Sequence, residues 1–295
     1  MISTKTASLT VNLITPTIGT LTAPAKNFGD ASFNLTAPTS NSSGAFSYTS
    51  SNTAVATVTS GGTVTIIGAG SATITATQAA TTNYASGSVT ATMTVSPIAP
   101  TIGTLTAPAK NFGDASFNIT APTSNSDGAF TYTSSDTTVA TVTSSGDVTI
   151  LKVGSTTITA TQDATTNYTT GSVSATLTVS PIAPTIDTLS VPAKNYGDAS
   201  FNLTAPTSNS DGAFTYTSSD TGVATVTSDG IVTVIGAGTT TITASQAAIT
   251  NYTTGSVTAS LVVSPIAPNI GTLTVPAKNY GDASFNLTAP TSNSS

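Results

Sequence analysis

Apolar and polar residues alternate strictly along several short stretches of the chain. Ser88 to Val95 runs Ser-Val-Thr-Ala-Thr-Met-Thr-Val, with Val89, Ala91, Met93 and Val95 on one side and hydroxyls on the other. Ser71 to Thr77 does the same, with Ala72, Ile74 and Ala76 on the apolar side. A period of two kept over such a length predicts strands with one dry and one wet face. Shorter runs at 32–36, 45–50, 54–59 and 63–67, with a first one near 18–22, bring the expected total to about seven strands. No 3.6-residue period appears, so no helix is expected. The turn residues agree. Gly61-Gly62 separates two apolar runs, and Ser145-Gly146 and Asp229-Gly230 hold the same place further on. Such pairs predict two-residue hairpins that need a positive φ. Pro97 and Pro100 are expected to stiffen the next connection and to discourage edge pairing. The expected core is Phe33, Leu35, Phe46, Tyr48, Val58, Val64, Ile66, Ile74, Val89, Met93 and Val95.

All of this recurs. Pro16-Thr17-Ile18 returns as Pro100-Thr101-Ile102 and Pro184-Thr185-Ile186, and with one change as Pro268-Asn269-Ile270, an offset of 84 each time. Asn27-Phe28-Gly29-Asp30 returns at 111–114, 195–198 and 279–282. Three complete repeats follow: 16–99, 100–183 and 184–267. Residues 1–15 read as the last strand of a preceding repeat plus linker, because Thr4–Ile14 aligns with Ser88–Ile98. Residues 268–295 read as the first strands of an incomplete fourth. The end pieces suit a fragment of a longer array, or strands donated to neighbouring chains. Helical solenoids repeat at roughly 20–50 residues, whereas an 84-residue block is the size of a small autonomous domain. Each repeat is therefore expected to own its core, like beads on a string. At roughly 35–45 Å per repeat with loops, three would form a rod of about 100–130 Å, its stiffness resting on the Pro97–Pro100 junctions.

Composition narrows the function. The chain of 295 residues has no Cys, His, Trp, Arg or Glu, and only 6% of its residues are charged. The polar surface must then be mostly hydroxyl and amide. A net charge of −6 leaves no basic stripe for nucleic acid and no polybasic membrane patch. No apolar run is long enough to span a bilayer. The N-terminus lacks the apolar stretch and cleavage site of a signal peptide. Without His, Cys or Glu, the usual general bases and thiol nucleophiles are missing, so no enzyme is expected.

The run from Tyr132 to Val142 (Tyr-Thr-Ser-Ser-Asp-Thr-Thr-Val-Ala-Thr-Val), then Gly146-Asp-Val-Thr-Ile150 and Gly154-Ser-Thr-Thr-Ile-Thr-Ala160, resembles the bacterial Ig-like group 2 (Big2) family, and the pattern occurs in all three repeats. The resemblance implies an all-β array of tandem immunoglobulin-like β-sandwiches. It also implies a stalk or spacer role in bacterial surface adhesins or phage appendages. The family shares no catalytic residues, and the absence of Glu and Arg departs from its usual composition.

Several residues still carry chemistry to weigh. Calcium would take Asp carboxylates and backbone carbonyls. The candidates are Asp30, Asp114, Asp198 and Asp282 in the Asn-Phe/Tyr-Gly-Asp turn, with Asp136 and Asp220 in the Ser-Ser-Asp turn. No dense cluster of acids accompanies them, and the favoured reading is turn chemistry, so no cofactor is expected. Lys26, Lys110, Lys194 and Lys278 beside these turns hold the ingredients of an internal Lys–Asn crosslink, although a solvated Lys is the simpler reading. Asn34, Asn118, Asn202, Asn286, Asn167 and Asn251 open N-glycosylation patterns, and the many Ser and Thr could carry O-glycans. Tyr84, Tyr168 and Tyr252 each follow Asn in a loop before the last strand, where a ring could stack on a sugar or cap the core. The expected function is an extracellular spacer on a cell or virion surface, its partners being the neighbouring repeats. The alternatives are a multivalent module for glycan or receptor and a subunit of an extracellular filament.

Overall fold

The computed structural model describes Lys5, Ala7 and residues 9–293. Every repeat forms the same seven strands. In the first they are β1 (Lys26–Asn27), β2 (Phe33–Asn34), β3 (Phe46–Ser50), β4 (Ala56–Val58), β5 (Thr63–Ile66), β6 (Gly70–Gln78) and β7 (Gly87–Ser96). The same set recurs from Lys110 to Ser180 and from Lys194 to Ser264. Each set makes two sheets, one of four strands in the order β1-β7-β6-β3 and one of three in the order β2-β5-β4. The chain divides into two compact units, 1–178 and 179–295. The first holds the first two sandwiches as far as Thr178, and the second holds the third sandwich and residues 268–293.

The two long alternating stretches form the antiparallel pair β6–β7, in register from Gly70 opposite Val95 to Gln78 opposite Gly87. Ala72, Ile74, Ala76, Met93 and Val95 point into the core, which Leu21, Tyr48, Val55, Ala56 and Val64 complete. Phe33, Leu35, Phe46, Val58, Ile66 and Val89, expected to be buried, are half-buried and pack around its rim. The small side chains of Ala56 on β4 and of Ala72 and Ala76 on β6 fill the inward positions beside Tyr48 and Ile74, and the larger rings pack against that cluster only in part. The third repeat has its own cluster of the same kind around Tyr216, Ile242 and Leu261.

Three expectations need correction. No strand forms over 18–22; Ile18 makes a single bridge to Ser40, and Gly19 N–H donates to the Thr39 carbonyl at 2.8 Å. Pro16 and Pro24 flank this segment and remove ladder donors. The parallel pair of β1 with β7 holds this side of the sheet instead. The β4–β5 connection is also longer than two residues. Thr59 N–H bonds the Thr63 carbonyl, Gly62 N–H bonds the Thr59 carbonyl, and only Gly62 has a positive φ, 92°. This is a three-residue loop closed by one left-handed glycine. It explains why Ser145-Gly146 and Asp229-Gly230 suffice where the first repeat has two glycines. A side chain at Gly62 would also press on the Tyr48 ring. The third correction concerns the strand expected over 4–14, of which 4, 6 and 8 lie outside the described residues. Within the rest only the Ile14 bridge forms, and Leu9 and Val11 are exposed. The equivalent stretch β7 pairs with β6 of its own repeat, a partner that residues 9–13 do not have among the described residues.

Candidate functional site

In each Asn-Phe/Tyr-Gly-Asp turn the acid's Oδ2 accepts the N–H of the Asn three residues earlier, at 2.8–2.9 Å for Asp30, Asp114, Asp198 and Asp282. Gly29, Gly113, Gly197 and Gly281 take the left-handed conformation that closes the turn. The lysine before the turn lies over the phenylalanine beyond it. Its Nζ is 5.0, 4.6, 4.6 and 5.1 Å from the rings of Phe33, Phe117, Phe201 and Phe285, a cation–π pairing that shields the rim of the sheet. Among the described residues no three Asp, Glu, His or Cys gather as a metal-binding group.

The Ser-Ser-Asp turn is built differently. Asp136 Oδ1 accepts the Thr138 N–H at 2.9 Å and its hydroxyl at 2.7 Å. Asp220 Oδ1 accepts the Gly222 N–H at 2.9 Å. The buried Thr156 and Thr240 hydroxyls take the N–H of these acids, each at 2.9 Å, and also meet Ser134 and Ser218. The first repeat has Asn52 and Ala72 instead, so acid and threonine change together. The Thr138 hydroxyl first, then the Thr138 N–H, holds the Asp136 carboxyl below its ordinary value of 3.8. A lowered folded value makes the charged form stabilising above the ordinary carboxylate range, and this contribution is lost as pH falls through the lowered value. Asp136→Asn keeps an acceptor and removes the titration. Its second repeat is expected to unfold at a denaturant midpoint that changes less between pH 7 and pH 2 than the wild type, measured by exchange-resolved urea titration.

The tyrosines lie at the linkers. Tyr84, Tyr168 and Tyr252 are half-buried, and each forms a parallel bridge with the linker isoleucine before its repeat: Ile14, Ile98 and Ile182. Within the first compact unit the Asn167–Tyr168 loop reaches further. Asn167 Oδ1 accepts the Ala69 N–H of the preceding repeat at 2.8 Å. The Tyr168 ring meets Phe28 of that repeat edge-on, with centroids 5.5 Å apart. Tyr168 thus spends its ring on a protein contact rather than presenting it freely to solvent.

Family models match all three repeats. The bacterial Ig-like domain (group 2) matches residues 117–173, and the intimin immunoglobulin-like domain matches 36–80 and 201–248. The repeats are Big2-like immunoglobulin domains. Immunoglobulin-like families are generally non-enzymatic. No curated protein matches the chain. Similar solved structures include Drosophila N-cadherin EC1-4, 15% identical over 86% of this chain and 76% of that one, with a TM-score of 0.30. The I-band fragment I67–I69 of titin is 15% identical over 87% and 100%, at 0.36. Sidekick-1 immunoglobulin domains 1–5 are 14% identical over 87% and 60%, at 0.34.

Each Big2-like repeat also hides a polar core element that the alternation pattern conceals. Gln78, Gln162 and Gln246 end their strands almost fully buried, at 1%, 1% and 2% exposure. Gln78 Oε1 accepts the Ser40 hydroxyl at 2.7 Å, and its Nε2 donates to the carbonyls of Ser42 and Gly44 at 3.0 and 2.9 Å. The same three bonds recur at Gln162 and Gln246. The amide clamps the 40–44 loop onto the sandwich. A side chain at Gly44 would run into the Ala79 carbonyl, so the loop needs glycine there. The recurring Ala-Thr/Ser-Gln at the strand end was the available signal: a glutamine on the inward phase of an otherwise alternating strand.

The outward face of the three longest strands of the larger sheet is almost entirely hydroxyl. On β6 and β7, Ser71, Thr73, Thr75 and Thr77 stand opposite Thr94, Thr92, Thr90 and Ser88. Ser47 and Thr49 of β3 extend the rows. In the third repeat one position departs, where the exposed Val262 faces Thr239. Among the described residues no helix is long and apolar enough to cross a membrane.

Proposed function

We propose that the chain is a spacer of an extracellular surface protein, holding another part of that protein at a set distance from a cell or virion. The observation that supports this reading most is repetition without specialisation: the same two-sheet sandwich recurs at 84 residues, and its widest face carries hydroxyls without a charge or a ring. Such a face is soluble and offers little for one partner to grip. The match to the intimin immunoglobulin-like domain favours a bacterial surface setting.

Length is what a spacer controls. Deleting residues 100–183 is expected to shorten the maximum dimension in small-angle scattering by roughly 35–45 Å while the remaining repeats stay folded. The full chain is expected to show no selective binding on a glycan array. An unchanged dimension, or selective capture of one glycan class, would favour the binding-module reading instead.

A further inference from the structure

The first junction shows a plug and a socket. The plug is the Asn167–Tyr168 loop; the socket is made of Phe28, the Gly68-Ala69 turn and the linker isoleucine Ile98. Two further bonds seat the loop on the linker, Ile98 N–H to the Asn167 carbonyl at 3.1 Å and Thr169 N–H to the Ile98 carbonyl at 2.8 Å. The loop–linker part recurs where Ile14 meets Asn83–Ala85 and where Ile182 meets Asn251–Thr253. A Cβ at Gly68 would meet the Ala54 carbonyl of its own repeat at 2.7 Å and Asn167 Oδ1 at 3.3 Å, so the turn needs glycine for its own repeat and passes close to the plug.

The third repeat presents the same socket residues. Tyr196 stands for Phe28, Gly236-Ala237 for Gly68-Ala69, and Ile266 for Ile98; the second repeat carries Lys152-Val153 at the turn. Tyr196, Ala237, the Pro265–Pro268 linker and, from the following segment, Asn293 line a cavity of about 330 Å³. Tyr196 is 49% exposed and Ile266 51%. An aromatic ring, a turn amide and a linker isoleucine match what an Asn–Tyr loop supplies: a ring edge, an amide oxygen and a short strand.

We propose that this cavity is an interaction surface for the Asn–Tyr loop of another repeat of this kind, joined through its own linker. The asparagine oxygen caps the Ala237 N–H and the tyrosine ring covers Tyr196. This inference stands independently of the spacer reading, since a binding array needs joined repeats equally.

Two measurements on the full chain test it. The bond that defines the plug is checked first. In Asn167→Ala, amide exchange at Ala69 is expected to rise at least tenfold while Ile74 is unchanged. Asn167→Asp, which keeps an acceptor, restores most of the protection. Unchanged exchange at Ala69 in the alanine variant would overturn the plug. The socket is checked by appending residues 128–183 after Ser295, which completes a fourth repeat with its own Asn–Tyr loop. Site-resolved nitration of Tyr196 is expected to fall several-fold on extension. It should return when the appended copy carries Asn167→Ala with Tyr168→Ala, or Tyr168→Ser alone, its folding verified by exchange. Equal nitration of Tyr196 with and without the extension, or equal protection by native and substituted extensions, would overturn the socket.

Discussion

Replacing Gln246 with Leu lowers the unfolding free energy of the third repeat by about 3–5 kcal/mol, although it adds apolar surface to a core position. The reason is what the amide leaves behind. The Ser208 hydroxyl and the carbonyls of Ser210 and Gly212 all bond Gln246, and the residue is only 2% exposed. Leucine fills a similar volume but answers none of these groups, and each buried polar group left unpaired costs about 1–3 kcal/mol. Single domains are stable by roughly 5–15 kcal/mol, so this one change removes a large share of the third repeat's margin. Urea titration followed by residue-resolved exchange reads the effect. A loss below 1 kcal/mol would mean that the loop holds without its clamp. Gln246→Glu at low pH, where the acid is neutral, keeps most of the bonding and is expected to recover part of the loss.

Leu261→Ala is expected to cost the same repeat about 2–5 kcal/mol by a different route. Leu261 is fully buried in the third repeat's cluster, which also holds Tyr216 and Ile242. Its partner across the strand pair is Thr240, which is held in the Ser218–Asp220 network and cannot swing in to fill the gap. The truncation therefore leaves a cavity rather than a repacked core. Met93 occupies the equivalent place in the first repeat and Leu177 in the second, both with no exposure. Leu261→Met reproduces a side chain the fold already uses there and is expected to cost under about 1.5 kcal/mol.

The strand periods were legible because one face of each sheet is wet: Val89 to Val95 and Ala72 to Ala76 announce their own inward phase. The repeat length was legible because four copies of the Pro-Thr/Asn-Ile and Asn-Phe/Tyr-Gly-Asp segments keep one offset. What the alternation could not show were contacts made outside its phase. β1 is two residues long and pairs in parallel, so no period marks it. Leu21 is buried at 6% although its segment forms no strand. The large rings Phe33 and Phe46 read as core, whereas Ala56, Ala72 and Ala76 are the residues fully inside it and carry no hydrophobic signal of that size. At the junction, composition pointed to Pro97 and Pro100. The groups that join the first repeat to the second are instead Asn167 and Tyr168, residues from a loop that lies 98 and 140 positions along the chain from the Ala69 and Phe28 they touch. Such pairs are set by tertiary folding and leave no local pattern.

Each repeat closes its own core. Hydrogen exchange of Leu261→Ala, resolved by residue under mildly denaturing conditions, tests it directly. Faster exchange is expected at Ile242 and Ala244 together with the rest of the third sandwich, while Ile74 and Ala76 in the first and Ile158 and Ala160 in the second keep their wild-type protection. Loss of protection in all three sandwiches by the same factor would contradict it.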